Sequence, residues 1–200
     1  MNVDETAVER AATAIRDGEL AVYPTETVYG LGADALSESA VERVFDAKRR
    51  SREKPVSMAV PDVETALDHV NATDREERFM REFLPGPVTV LCEKREAVPD
   101  ALTAGRSRVG VRVPDHEVAL ALLRAVAPTP VTATSANVSG RPSATRTADL
   151  DAEIRDAAAA VLDAGETPGG TGSTVVNVET GEIHRRGANA EAVASWLASK

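Results

Sequence analysis

Cysteine, lysine, histidine and aromatic residues are all scarce in this chain of 200 residues. Cys92 is the single cysteine, so no internal disulfide can form. Its setting, VTVLC at 88–92, reads as a strand that buries an inert thiol. His69, His116 and His184 are the three histidines, and without Cys pairs they supply no zinc-ligand spacing. No metal-ligating set is expected. Aromatics make up 3% of the chain, which leaves Val, Ala and Leu to build the core. No run approaches the ~20 apolar residues that cross a bilayer. The N-terminus, MNVDETAVER, is charged and has no apolar signal-peptide core. A cytoplasmic protein with no membrane contact is therefore expected. The P-loop pattern is absent, and no nucleophile elbow surrounds any serine, which excludes a Walker-type NTPase and argues against a serine hydrolase. Lysine numbers 4 against 19 arginines and 32 acidic residues, for a net charge of −9. Abundant acid with little lysine suits a high-salt cytoplasm, and it argues against a protein that coats nucleic acid.

Against that acidity, five cations stand within seven residues: Lys48, Arg49, Arg50, Arg52 and Lys54, in KRRSREK. Such a cluster makes a local field that holds a polyanion, a nucleoside triphosphate or an RNA backbone. The alternative is a solvated basic loop. Spacing favours the first reading. Val41, Val44 and Phe45 form the apolar face of a helix over 37–48, and Lys48 follows the last two by four and three residues. Lys48 is expected to point inward, with Arg49 and Arg52 in solvent.

A length of 200 residues suits one domain, 1–200, burying roughly 70% of its unfolded surface. Helices are expected over 4–17, 37–48 (Ser39 and Glu42 as capping box), 62–70, 73–83 (Thr73 and Glu76 as capping box), 118–126, 148–159 and 190–198. Strands are expected over 20–23, 56–60, 88–92, 109–113, 131–133 and 161–163, with a hairpin of 174–178 and 182–185. The alternation gives an α/β class, and hairpins beside crossovers give a mixed sheet.

Polar loops follow several strands, where open α/β sheets place their ligands. PTETVYGLG at 24–32 offers two threonines, a glutamate and two glycines. Its Gly30-x-Gly32-x-x-Ala35 spacing is no dinucleotide fingerprint, since the glycines do not open the next helix. TSANVSGRPS at 134–143 is a loop of donors. Gly169-Gly170-Thr171-Gly172-Ser173-Thr174 can cradle an anion on its amides. Arg112 and Arg185 each end a strand, placed to clamp a carboxylate or phosphate.

In order, PTETVYGLG, the K-x-R of Lys48 and Arg50 with Lys54-Pro55, LPGPVTV, VGVRVPDH, TSANVSGRPS and the GSTVV step at 172–176 closely resemble the YrdC family of threonylcarbamoyl-AMP synthases. The resemblance runs from about residue 8 to about 187. It implies a twisted mixed sheet with flanking helices and a large, positively lined cavity. It implies condensation of L-threonine, bicarbonate and ATP to threonylcarbamoyl-AMP, with release of pyrophosphate. The product would pass to a tRNA threonylcarbamoyl transferase complex that modifies adenosine beside the anticodon, with tRNA contact itself open. By this similarity Lys48, Arg50, Lys54, Ser135, Ser143 and Arg185 face ATP, with Lys48 and Arg50 catalytic. Thr27, Arg112, Ala133 and Ser173 hold threonine. Mg²⁺ is expected with the nucleotide. Some positions depart from the family. Ser51 stands where many relatives have Pro, Lys54 where Asn is common, Ala59 where some carry His near threonine, and Arg108 where a small hydroxyl residue adjoins the nucleotide. Ending at Lys200, the chain reads as the single-domain form. A double-stranded-RNA-binding or ribosome-maturation module using the same basic cavity is the rival reading, and a carbamoyl-transfer or hydrolase relative is another.

Overall fold

A computed structural model describes residues 4–169 and 171–199; Gly170 of the glycine-rich loop lies outside the described residues. Helix α1 (Glu5–Arg16) starts at Asp4, whose carboxylate accepts from the Ala7 amide, and it buries Val8, Ala11, Ala12 and Ile15 on one stripe. Strand β1 (Leu20–Tyr23) is wholly buried. Its alternation sorts the core: Leu20 and Val22 pack on one face of the sheet, Ala21 and Tyr23 on the other. The Ala21 face is covered by α1 and α6 (Glu117–Val126). The Leu20 face is covered by α2 (Glu38–Lys48) and α7 (Ala152–Ala157).

Ten strands form one mixed sheet. Besides β1 these are β2 (Gly30–Gly32), β3 (Ser57–Ala59), β4 (Val70–Asn71), β5 (Val88–Lys94), β6 (Arg108–Arg112), β7 (Val131–Ser135), β8 (Ala158–Val161), β9 (Thr174–Asn177) and β10 (Glu182–Arg185). Their order is β10-β9-β5-β6-β3-β7-β2-β1-β8, with β4 on β5. Three pairings are parallel: β1 with β8, β3 with β6 and β5 with β9. A third core lies under α4 (Asp74–Phe83) and includes Met58, Val88, Val90, Cys92, Val109 and Val111. Burial pushes the Cys92 thiol up, the direction expected of an inert core cysteine. Short helices α3 (Val63–Leu67) and α5 (Asp100–Thr103) and the final helix α8 (Ala190–Ala198) complete the fold. Among the described residues no helix is long and apolar enough to cross a membrane.

Several expectations need correction. The cap of α2 is Ser37, which accepts from the Ala40 amide; Ser39 sits inside the first turn, so the Ser39–Glu42 box does not form. The Thr73–Glu76 box does form. The helix expected over 62–70 stops at Leu67, and Val70–Asn71 instead joins the sheet. The helix expected over 148–159 divides into a 3₁₀ turn (Thr147–Asp149), α7 and β8. Its alanines favour helix, but pairing with β1 overrides that weak preference. The strand expected over 161–163 is therefore β8, three residues earlier. Residues 30–32, within the polar loop expected at 24–32, form strand β2. It is glycine-built because its neighbours press close: a Cβ on Gly32 would stand 2.6 Å from Val131 Cγ1, and one on Gly30 2.9 Å from the Tyr23 ring.

Candidate active site

The loops and strand ends of β2, β3, β5, β6, β7, β9 and β10 enclose a cavity of about 500 Å³. Among the described residues its wall carries five arginines, Arg50, Arg106, Arg108, Arg112 and Arg185, and no Asp or Glu. In a chain of charge −9 that is a strong segregation. The arginines act on one another. Burial lowers the Arg185 pKa, and the charges of Arg112 and Arg50 lower it further. Arg50 is also held below its ordinary value by burial. A cavity of this kind is stabilised by an incoming anion.

Arg50 is fixed by its own chain: Nε donates to Lys54 O (3.0 Å) and Nη2 to Pro55 O (3.0 Å). Arg185 reaches from the end of β10 to Ser173, with Nε on its carbonyl (2.9 Å) and Nη2 on its hydroxyl (2.9 Å). Ser173 Oγ also meets Thr89 Oγ1 at 2.8 Å, which ties β9 to β5 at the cavity floor. Across the cavity, the turn after β1 is locked by Thr25, whose Oγ1 donates to Val28 O (2.7 Å) and accepts from the Thr27 amide (3.2 Å). That presents Thr27 Oγ1, which accepts from Arg112 Nη2 at 3.1 Å. The Tyr23 hydroxyl lies close by; burial pushes its pKa up to about 12.

Eight of the ten sequence-selected residues line the cavity: Thr27, Arg50, Arg112, Ala133, Ser135, Ser143, Ser173 and Arg185. Lys48 and Lys54 do not. Lys54 is exposed and contributes its carbonyl to Arg50. Lys48 points inward, as its helical spacing requires, and is 2% exposed. Its ammonium donates to the backbone of the 135–143 loop, to Ser135 O and to Asn137 O (2.7 Å), which takes two of its three N–H groups. Burial and the Arg50 charge lower its pKa to about 8. Arg49 and Arg52 are exposed, and Arg52 pairs with Glu42 and Asp46.

Sequence reasoning missed the hub of that loop. Asn137 accepts from the hydroxyls of Ser135 and Ser143 (3.4 Å) and donates to Val138 O and Arg141 O (both 2.8 Å). A buried Asn in a serine-rich turn is the one signal that pointed there. It also missed Ser57, Thr89 and Gly110, which sit inside strands and carry no loop signature. Arg108 lines the cavity but is compensated from behind by fully buried Glu76 (2.6 Å) and by Leu91 O (2.7 Å).

No cluster of three or more metal-ligating side chains occurs among the described residues. The wall supplies hydroxyls and guanidiniums without a carboxylate, a donor set that does not fit a resident divalent cation.

Comparison with known proteins agrees with this geometry. A family model for Sua5, YciO and YrdC proteins, described as telomere recombination, matches residues 13–187. The chain is 39% identical over 177 residues to a Pyrococcus abyssi protein named threonylcarbamoyl-AMP synthase, covering 88% of this chain and 52% of that one. It is 35% identical to a threonylcarbamoyl-AMP synthase of Idiomarina loihiensis, covering 88% of this chain and 96% of the relative. A solved structure of P. abyssi Sua5 complexed with L-threonine superposes with a TM-score of 0.86 at 36% identity, over 96% of this chain and 58% of that one. The chain thus spans about half the length of the P. abyssi relative. A ten-stranded mixed sheet, an arginine-lined cavity and a family match over most of the length converge: the chain belongs to the Sua5/YciO/YrdC family.

Proposed function

We propose that the protein is a threonylcarbamoyl-AMP synthase that condenses L-threonine, bicarbonate and ATP and releases pyrophosphate. The observation that carries this reading is the charge segregation. Five arginines and no carboxylate face a cavity with a hydroxyl wall, in a family that includes a member solved with L-threonine. The threonine amine and bicarbonate lose water to give a carbamate. A carbamate oxygen then attacks the α-phosphorus, and pyrophosphate leaves. The chemistry needs no protein nucleophile; it needs alignment and neutralisation of the leaving charge. In this reading Arg50 and Arg185 face the triphosphate with Ser135 and Ser143, and Lys54 stands at the rim. Lys48 acts through the loop it holds. Thr27, Arg112, Ala133 and Ser173 hold threonine, with Arg112 on its carboxylate. Mg²⁺ enters as part of the nucleotide substrate, since the wall offers it no carboxylate.

The described residues act as one domain in this reading, in the cytoplasm, and the adenylate passes to a tRNA threonylcarbamoyl transferase complex. An RNA-binding role draws no support from the surface, where Arg16, Arg43, Arg81, Arg141 and Arg146 are paired with carboxylates. The test is pyrophosphate release with ATP, Mg²⁺, L-threonine and bicarbonate. Release is expected to fall to background when either threonine or bicarbonate is omitted, because the attacking oxygen exists only after both combine. Release indifferent to threonine would remove the reading.

A further inference from the structure

Four buried side-chain polar atoms lack a hydrogen-bond partner among the described residues: both carboxylate oxygens of Glu26, Arg112 Nε and His116 Nδ1. All four belong to one cluster behind the cavity wall. Unsatisfied buried polar groups are rare, and a concentration of them at one place calls for a cause. Glu26 Oε1 stands 2.9 Å from Arg112 Nη2. The oxygen lies off the N–H axis, so the contact is an ion pair without being a hydrogen bond. Both side chains are 14% exposed, so the attraction is poorly screened. The field of Glu26 also reaches Tyr23 and His116.

The contacts of Arg112 divide its guanidinium. Nη2 is occupied on two sides, by Glu26 and by Thr27 Oγ1. The N–H groups on Nη1 bond no protein group among the described residues, although Arg112 lines the cavity. A planar guanidinium has no rotational freedom once one nitrogen is fixed from two directions. Glu26 itself is not on the cavity wall.

We propose that Glu26 is the positioning residue for Arg112: its carboxylate holds the guanidinium from behind, so that the Nη1 end is presented to the carboxylate of an amino-acid substrate. The inference deepens the synthase reading and rests on it for the identity of that substrate. Glu26 also neutralises Arg112 among four other arginines, which keeps a cation in place that the others would repel. It touches no reacting atom. His116 Nδ1 is also without a hydrogen-bond partner among the described residues, so it does not take Glu26 away from Arg112.

Glu26→Gln keeps the size of the side chain and removes the charge. The expected result is a threonine KM raised about tenfold, with ATP KM and melting temperature close to the parent. Glu26→Asp, which keeps the charge on a shorter arm, is expected to recover most of that loss, to within about threefold of the parent. A merely structural role would lower the melting temperature and both KM values would drift together. A second measurement needs no turnover. In ¹⁵N-labelled protein, the Arg112 Nε–H resonance is assigned by its loss in Arg112→Lys. It should be a single, slowly exchanging signal in the parent and should broaden or vanish in Glu26→Gln. Should Glu26→Gln fail to fold, Glu26→Asp carries the same readout with a smaller change. If the parent shows no threonine-dependent pyrophosphate release, the synthase reading fails and the resonance alone decides the positioning claim. An unchanged Arg112 resonance, or an unchanged threonine KM in an active enzyme, overturns it.

Discussion

Replacing Lys48 by methionine separates two roles that the K-x-R spacing alone cannot distinguish. The ammonium donates to two carbonyls, the half-buried one of Ser135 and the buried one of Asn137. The chain also turns back, with the Ser139 amide donating to Lys48 O at 2.8 Å. Hydrogen bonds from a charged donor contribute about 1.5–3 kcal/mol each, so the substitution forfeits about 3–6 kcal/mol. In return it removes a desolvated cation. A pKa lowered from 10.5 to about 8, by burial first and the Arg50 charge second, corresponds to about 3 kcal/mol against the charged form. The two largely offset, leaving a net destabilisation of at most about 3 kcal/mol. The effect on the site should be larger. Once the carbonyls of Ser135 and Asn137 are released, the hub that aims the Ser135 and Ser143 hydroxyls relaxes, and ATP KM should rise about ten- to a hundredfold.

The pH dependence carries an independent sign. The folded-state pKa lies below the unfolded value, so between about pH 8 and 10.5 the unfolded chain binds more protons and stability rises with pH. Below pH 8 the charged amine is a burden on the fold. The neutral amine still has two N–H groups for two carbonyls. Parent and Lys48→Met melting curves from pH 7 to 10.5 should therefore diverge upward in favour of the parent. Amide exchange at 138 and 139 should accelerate in the variant without nucleotide. Exchange at parental rates together with a raised ATP KM would refute the loop-holding role and return Lys48 to direct phosphate contact.

Other expectations follow from the same geometry. Arg50→Ala should lower ATP-dependent turnover by about ten- to a hundredfold, whereas Arg52→Ala, which breaks an exposed and solvent-screened pair with Glu42 and Asp46, should leave turnover and melting temperature close to the parent; steady-state kinetics and melting of both variants check this. In Gly110→Ala the new methyl would stand against Ser57 Oγ and 2.8 Å from Thr89 Cγ2, crowding the floor beside Ser173. Threonine affinity, measured by calorimetry, should fall by more than the ~1–3 kcal/mol lost in stability. With a net charge of −9, the melting temperature should rise from low to molar KCl as surface repulsion is screened, and a flat salt response would count against a solvated acidic surface as a source of instability.

What could be read in advance was whatever is local in the chain. Lys48 turned inward because three- and four-residue spacing sets a helix face, Arg112 closes the apolar run of its strand, and Arg185 closes the second arm of a hairpin marked by its turn. The threonine turn and the serine-rich loop both reached the cavity. Hidden from view were features that exist only through distant partners. Strand β2 is three residues of mostly glycine and is a strand only because β1 and β7 flank it. Strand β8 is alanine that any helix would accept. The inward turn of Lys48 is local, but the carbonyls of Ser135 and Asn137 that it meets lie far along the chain. Glu76, an ordinary capping glutamate by its spacing, proves to be the buried partner of Arg108.

The sheet order sets a timetable for the site. Strand β9 lies between β10 and β5, and Thr174 pairs with Val88, Val175 with Thr89 and Val176 with Val90. Ser173 and Arg185 ride on this late segment, whereas Thr27 is near the start of the chain. During synthesis, the earlier strands would have to wait some eighty residues for the neighbour that closes the floor. Pairings of such separation close slowly and leave a strand edge open meanwhile. A nascent chain halted before residue 173 would carry Arg50 and Arg112 without the Ser173–Arg185 side of the wall, so nucleotide should protect the finished fold more than the growing one.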